Sequence, residues 1–313
     1  MKKKPTYRIR NWQEYDTSLK RRGSLTFWIS EDLLKNWVRE EKTGNRGASP
    51  VYSDAAIETM AGLKFLFHLA GRQTEGLVCS IFEMLKVELS VPDHSTLSRR
   101  LTGLDVRLDV KQTNQPRHVV ADSTGLKVYG EGEWKVRTHG VSKRRTWRKL
   151  HLCVDEATNE VLAVGASENS VSDGQMLPML LEKIEGEISQ VSADGIYDQK
   201  KVYDVINLHK ARAAIPPRVN AKIWKHGNSK SERLVRDENL RSIRKHGRKK
   251  WKAESNYHRR SLSETAMFRF KTIFSDKLQS RKIDNQFNEM FLKCSLLNRM
   301  THLGMPDSYN VQA

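Results

Sequence analysis

The 313-residue sequence is poor in three things, and each shortage excludes a class of protein. Its three cysteines, Cys79, Cys153 and Cys294, are odd in number and far apart. That spacing excludes a disulfide framework and a cysteine zinc cluster, and it fits reduced thiols in a cytoplasmic protein. The ten histidines form no HxxxH pair, so oxygen atoms would have to hold any metal. Long apolar runs are also missing. The most apolar window, Met60 to Ala70, is short and contains Lys64, so nothing is long enough to span a bilayer. The start, MKKKPTYRIRNW, carries charge with no apolar run behind it and is not a secretory signal. Acid is the third shortage: 37 Asp and Glu stand against 55 Lys and Arg, for a net charge of +18 and an isoelectric point near 9.8. Such a chain gains affinity for a polyanion by displacing counterions, which makes nucleic acid the leading partner.

What the sequence does contain is organised around Asn256 to Phe274, NYHRRSLSETAMFRFKTIF. Read as a helix, at about 100° per residue, it gathers Tyr257, Arg260, Glu264 and Lys271 into a stripe roughly 60° wide. Leu262, Ala266, Phe270 and Ile273 form the opposite, apolar side, ready to pack on a sheet. A Glu with an Arg four residues earlier is also ordinary surface pairing. Four such groups together suit a site holding a metal and a phosphodiester, since the metal needs anionic oxygens and the phosphates need cations.

The spacing of Tyr257, Arg260, Glu264 and Lys271 resembles the C-terminal Tyr-Arg-Glu-Lys motif of DDE transposases of the IS4 and IS5 insertion-sequence families. The segments VVADSTGLKVYGEGEW and SADGIYD resemble the IS5 family and, within it, the IS903-like group. The resemblance is strong from about Arg117 to Arg299 and looser before that. It implies that Asp122, Asp194 and Glu264 are the catalytic and metal-binding acids, that magnesium is the cofactor with manganese able to substitute, and that the partners are terminal inverted repeats and target DNA. A homodimer or higher oligomer is implied in the synaptic complex, in a bacterial, nucleoid-associated protein with no membrane partner.

Along the chain, residues 1–112 read as a helical DNA-binding region. Ser30 caps a helix running to about Glu41, TGNRGASP links it onward, and a second helix covers Ser53 to about Leu69. Residues 74–104 form a helix-turn-helix candidate, with Arg99 and Arg100 on the second helix available to phosphates and base edges. Residues 113–303 read as the catalytic domain. HVVAD is a strand closed by Asp122, and LKVYGEGEW turns through a glycine-rich bend. WRKLHLCVD and VLAVGASENS form a hairpin about EATNE, and Asp173 to Ile184 is a helix with Pro178 near its first turn. QVSAD is a strand closed by Asp194, Gln199 to about Lys210 is a helix, and ARAAIPPR is a last strand. Together with the resemblance, this order predicts an α/β fold: a ribonuclease H-like catalytic domain behind a mostly helical N-terminal DNA-binding domain. An Asp that ends a strand is also a common turn former. Asp155 is a competing carboxylate with a hairpin role, and Asp198 is expected to support the site.

Residues 210–260 hold 17 Lys and Arg against 4 Asp and Glu, most of the net charge, with Trp224 and Trp251 inside the run. A basic insertion at about 218–255 with interleaved rings fits a segment lying along DNA, and a loop folded back on the domain is the alternative. Tyr197, Arg148 and Lys149 complete the candidate DNA contacts. The patch Lys143 to Lys149 is equally suited to protecting an exposed sheet edge. Residues 283–303 read as a core-closing helix and 304–313 as an unstructured tail. Three functions share these features: a transposase that cuts and joins by two-metal phosphoryl transfer in a cut-and-paste reaction, a transposase-derived DNA-binding regulator without chemistry, and a metal-dependent nuclease without strand transfer.

Overall fold

The apolar alternation of HVVAD, WRKLHLCVD and VLAVGAS produces the sheet at the centre of the computed structural model, which describes residues 6–39, 49–128, 147–225 and 234–311. The chain divides into two units, Met1–Val106 with Ser295–Ala313, and Arg107–Cys294. The residues from Ser295 onward therefore belong with the N-terminal ones.

In the second unit, β2 (Arg117–Lys127), β3 (Trp147–Asp155) and β4 (Val161–Glu168) pair antiparallel in sequence order, and β5 (Ile188–Ser192) and β6 (Arg212–Ala214) pair parallel on the other side of β2. The strand order β4-β3-β2-β5-β6 is a mixed sheet, as a ribonuclease H-like domain requires. Side chains alternate across it. Val119, Ala121 and Cys153 face α7 (Asp173–Glu182) and α8 (Lys200–Leu208), sharing a core with Leu177, Leu181 and Ile206. The opposite face receives α11 (Ser261–Phe274), which packs on β2 and β3. Pro178 lies inside α7, in its second turn. The antiparallel edge of the sheet is β4, so the basic end of β3 protects no edge.

The described residues between β6 and α11 do not lie open. The helices α9 (Val235–His246) and α10 (Arg248–Glu254) form within it, and a buried clasp ties it down. Arg236 bonds Asp198 through Nε at 2.9 Å and Asp237 through Nη1 at 3.1 Å, and its guanidinium lies 3.8 Å from the centre of the Trp224 ring. Asp198 also accepts from the Arg218 backbone N–H at 3.1 Å, and Asp237 from those of Trp224 and Lys225 at 3.0 and 2.9 Å. Two carboxylates and one guanidinium therefore satisfy one another and several backbone groups out of water.

In the first unit, α4 (Asp54–Leu66) supplies the core with Ile57, Met60, Leu63 and Phe65, and Gly62 lets Leu296 come close: a Cβ there would lie 3.3 Å from the leucine. Before it come β1 (Thr6–Ile9), α1 (Trp12–Arg22), α2 (Leu25–Trp28) and α3 (Glu31–Lys35). Ser30 caps α3 as expected, but the helix ends at Lys35 because Trp37 turns inward to bond the Ser90 carbonyl at 2.9 Å. The pair α5 (Gly71–Met84) and α6 (His94–Thr102) forms, with Asp93 capping α6. Its nine-residue connection is longer than the three or four residues of a helix-turn-helix. The C-terminal helix α12 (Ile283–Leu303) is followed by β7 (Ser308–Val311), paired antiparallel with β1, so four residues of the expected unstructured tail form a strand. The glycine-rich bend, most of TGNRGASP and Lys143 to Thr146 lie outside the described residues.

Buried charge and a buried imidazole generate two stability predictions. Replacing Arg236 with Ala strands the carboxylates of Asp198 and Asp237, and should lower the unfolding free energy by about 3–5 kcal/mol in denaturant titrations. His151, fully buried on β3, shares a 2.8 Å bond with Ser167 through Nε2, while its Nδ1 is buried with no hydrogen-bond partner. Asp173 lies 4.0 Å away, itself held by Lys149 at 3.1 Å. Burial lowers the His151 pKa from 6.5 to about 4, against the smaller upward pull of Asp173. Between those values the unfolded chain takes up a proton that the fold refuses. Stability should therefore fall with decreasing pH across that window, by about 3 kcal/mol at most. Denaturation midpoints of wild type and His151→Gln across that range check this: the variant should show a shallower dependence.

Candidate active site at the strand ends

The parallel pairing of β2 with β5 sets the site. Val120 is partnered with Ser192, the last pair of this ladder; Asp122 follows two residues on within β2, and Asp194 follows two residues after Ser192, just past the end of β5. Each carboxylate is aimed by a nearby backbone N–H: Asp122 Oδ1 accepts from Ser123 at 2.8 Å, and Asp194 Oδ1 from Ile196 at 2.9 Å as the cap of a short 3-10 turn, Gly195–Tyr197. Gly195 eases the close approach at this turn, since a Cβ there would sit 3.2 Å from the Pro216 carbonyl oxygen.

The third acid arrives on α11. The expected single helix is in fact a 3-10 turn, Tyr257–Arg260, running into α11, with Asn256 in the left-handed region before it. Its buried side is Ser263, Ala266, Met267, Phe270 and Phe274, so Leu262 and Ile273 are only partly covered. Relative to the expected apolar face the helix is turned by about 60°. The stripe of Arg260, Glu264 and Lys271 consequently borders the buried side and does not oppose it. That rotation lets Arg260 reach beneath the helix to Asp122 Oδ2 at 3.0 Å while also bonding Glu264. Ser263, which no sequence signal singled out, shares its hydroxyl proton between the Arg260 carbonyl at 2.8 Å and Asp122 Oδ2 at 3.2 Å.

The electrostatics follow from that crowding. Burial pushes the Asp122 carboxyl above the ordinary carboxylate range; the Ser123 N–H and Arg260 pull it back, and the charge of Asp194 adds to the rise. Tyr257 is half-buried under Lys252, whose Nζ lies 5.1 Å from its ring centre, and burial raises its hydroxyl pKa too. Asp122 and Asp194 offer hard oxygen ligands, and Glu264, whose side chain is 57% exposed, is linked to Asp122 by the Arg260 guanidinium. Such a donor set fits a divalent cation in its chemistry. In its spacing it keeps a protein cation in the gap, and no group of three or more His, Cys, Asp and Glu is close enough to hold a metal among the described residues.

The other candidates separate into exposed and built-in groups. Trp251 is 3% exposed, packs 5.7 Å from the Tyr257 ring and donates to Asn239, so it supports the site's floor and presents no face to DNA. Tyr197 is equally buried, in the core beneath the Asp194 turn. One face of Trp224 is covered by Arg236. Lys149 is spent on the Val171 carbonyl and Asp173, which fastens β3 to α7, and Arg148 donates to Gln286 at 3.0 Å. Arg100 is held by Asp54 and the Tyr52 carbonyl, whereas Arg99 is exposed on α6. Lys271 is partly buried on α11. Asp155 is the hairpin residue expected, paired with Arg117 at 2.6 Å and bonded by the Ala157 N–H. The Asp198–Arg236 clasp was not legible because its members lie 38 residues apart.

The transposase DDE domain is matched twice, over residues 20–131 and over residues 113–299. Two solved structures resemble the chain at low similarity. A piggyBac transposase synaptic complex with hairpin DNA is 13% identical with a TM-score of 0.42, covering 91% of this chain and 75% of that one. The Drosophila P element transposase strand transfer complex is 13% identical with a TM-score of 0.30, covering 63% and 42%. With the second of the two domain matches spanning more than half of the sequence, the chain belongs to the DDE transposase family.

Proposed function

We propose that this DDE transposase belongs to the IS5 group, binds the terminal inverted repeats of its insertion sequence, and cuts and joins DNA at the site formed by Asp122, Asp194 and Glu264. The observation that supports the reading is that Asp122 and Asp194 each follow by two residues the paired Val120 and Ser192 of neighbouring parallel strands, with Glu264 joined to Asp122 through Arg260.

Asp122, Asp194 and Glu264 would hold divalent cations, magnesium or manganese in its place, which when bound neutralise the charge of the reacting phosphate and activate the attacking oxygen. The protein's own groups do the rest. Ser263 and the Ser123 N–H keep Asp122 from rotating, and the Ile196 N–H does the same for Asp194. Arg260 neutralises the acids while DNA is absent and moves onto a phosphate oxygen when DNA arrives, where a planar guanidinium can pair with two oxygens. Water serves as nucleophile in cleavage, and the freed 3′-hydroxyl serves in joining, so one site performs both steps without a covalent protein intermediate. Lys271 and Tyr257 would bind DNA flanking the reacting phosphate, and Arg99 would add a DNA contact from the other unit. Two element ends must be cut together, so a homodimer or higher oligomer assembles on DNA.

The test is incubation of the purified protein with magnesium or manganese, labelled DNA carrying the element's own ends, and a target plasmid. Wild type should yield cut ends and joined product. Glu264→Ala and Asp122→Asn should each lower the rate by about a hundredfold or more while binding to the ends persists. End binding with no cut by wild type in either metal would overturn the reading, and cutting without joining would reduce it to a nuclease. A separate expectation concerns Arg260→Gln. Removing the guanidinium from between Asp122 and Glu264 should strengthen manganese binding in the absence of DNA, read by electron paramagnetic resonance, and slow cleavage by about tenfold or more.

A further inference from the structure

The turn that delivers Arg260 is weak by itself. Tyr257–Arg260 is a single 3-10 turn, entered through Asn256 in the left-handed region at φ 54°, and such turns have poorer hydrogen-bond geometry than an α-helix. With about three residues per turn, successive side chains leave it roughly 120° apart, so Arg259 and Arg260 depart on different sides. Arg260 reaches Asp122. Arg259 bonds Glu156 through Nε, across 103 positions of sequence.

Glu156 is itself held on the sheet. It follows the end of β3, its backbone N–H donates to the His118 carbonyl at 2.9 Å, and its Oε2 lies 4.0 Å from His118 Nδ1. His118 stands four residues before Asp122 on β2, on the same face of the strand. Its Nε2 lies 2.8 Å from Ser192 Oγ, which accepts from Gln190 Nε2 at 3.1 Å, and that nitrogen also donates to the Ser255 carbonyl at 3.0 Å. The turn is thus tethered on both sides, through Ser255 to β5 and through Arg259 to the end of β3. Burial holds His118 below the ordinary imidazole pKa against the pull of Glu156, so near neutral pH Arg259 is the cation bonded to Glu156.

An isolated exposed ion pair contributes little. This pair differs in what its two ends are attached to. The Glu156 side chain is 22% exposed and its backbone is bonded to β2, while Arg259 adjoins the residue that bridges Asp122 and Glu264. If the turn rotates, Arg260 swings off Asp122 and the start of α11 turns with it, carrying Glu264.

We propose that Arg259 and Glu156 are positioning residues: their pair, anchored beside His118, sets the rotation of the Tyr257–Arg260 turn and so aims Arg260 at Asp122. The assignment rests on the reading of Asp122 and Glu264 as part of the reacting centre, and adds to it two groups outside the acids and their direct partners.

The experiment compares the full chain with Glu156→Gln, Arg259→Gln and the double variant; both side chains are partly exposed, and the fold should accept the changes. In the metal-free protein, amide hydrogen exchange in the peptide covering residues 256–264 should become about tenfold faster in each variant, with the β2 and β5 peptides unchanged. On DNA carrying the element's ends, at saturating protein and magnesium, each single variant should cut about tenfold more slowly while end binding stays within about twofold of wild type. The double variant should be no slower than either single one, since both remove the same tether. Unchanged exchange overturns the proposal whether or not the protein cuts. Faster exchange with cutting at the wild-type rate overturns it too, as does weakened end binding in Arg259→Gln alone, which would make Arg259 a DNA contact. If exchange shifts as expected but wild type never cuts, the tether is real and the reading of the acids has failed, and the positioning role falls with that premise.

Discussion

The parallel pairing of β2 with β5 is the constraint on which the remainder depends. Pairing Val120 with Ser192 brings the acids two residues beyond them near enough for the charge of Asp194 to raise the Asp122 pKa. Two carboxylates at that separation repel, and burial of Asp122 makes its charged form still less favourable. The fold meets this cost with a guanidinium brought in by α11. That delivery works because the buried side of α11 is centred on Ser263 and Phe270, which leaves Arg260 at the margin of the contact where it can reach inward. Chemistry that needs several negative groups in one place thus explains the helix rotation as well as the strand order.

Positive charge is handled differently in different places. The segment between β6 and α11 supplies most of the net charge, yet its central cation, Arg236, is an interior residue that organises backbone groups. Its two tryptophans are likewise used for packing, Trp251 wholly and Trp224 on one face. Lys149 and Arg148, read as DNA contacts from their polarity, are tethers between elements. What remains facing solvent in this segment, Arg218 among it, is set at a defined place beside Asp194 because the interior charges hold the backbone there. A buried ion network is weak evidence for stability in itself; here it fixes where the exposed groups stand.

Period and punctuation in the sequence were sufficient for the five strands of the central sheet, for α7 and α8 packed on it, for the cap at Ser30, and for the hairpin role of Asp155, because those features depend on neighbours a few residues away. The Tyr-Arg-Glu-Lys spacing marked the segment whose Arg260 and Glu264 the fold brings to Asp122, and the shortage of acid pointed to a polyanionic partner. Only tertiary structure decided the angle of α11 about its axis, the inward use of Trp251, Tyr197 and Lys149, the contact of Ser263 with Asp122, and the pairing of the last strand with the first. Each of these joins residues tens to hundreds of positions apart, or turns on which of two polar groups meets a buried partner. Residue type predicts polarity but not the partner, since the partner is set by chain closure and not by local spacing.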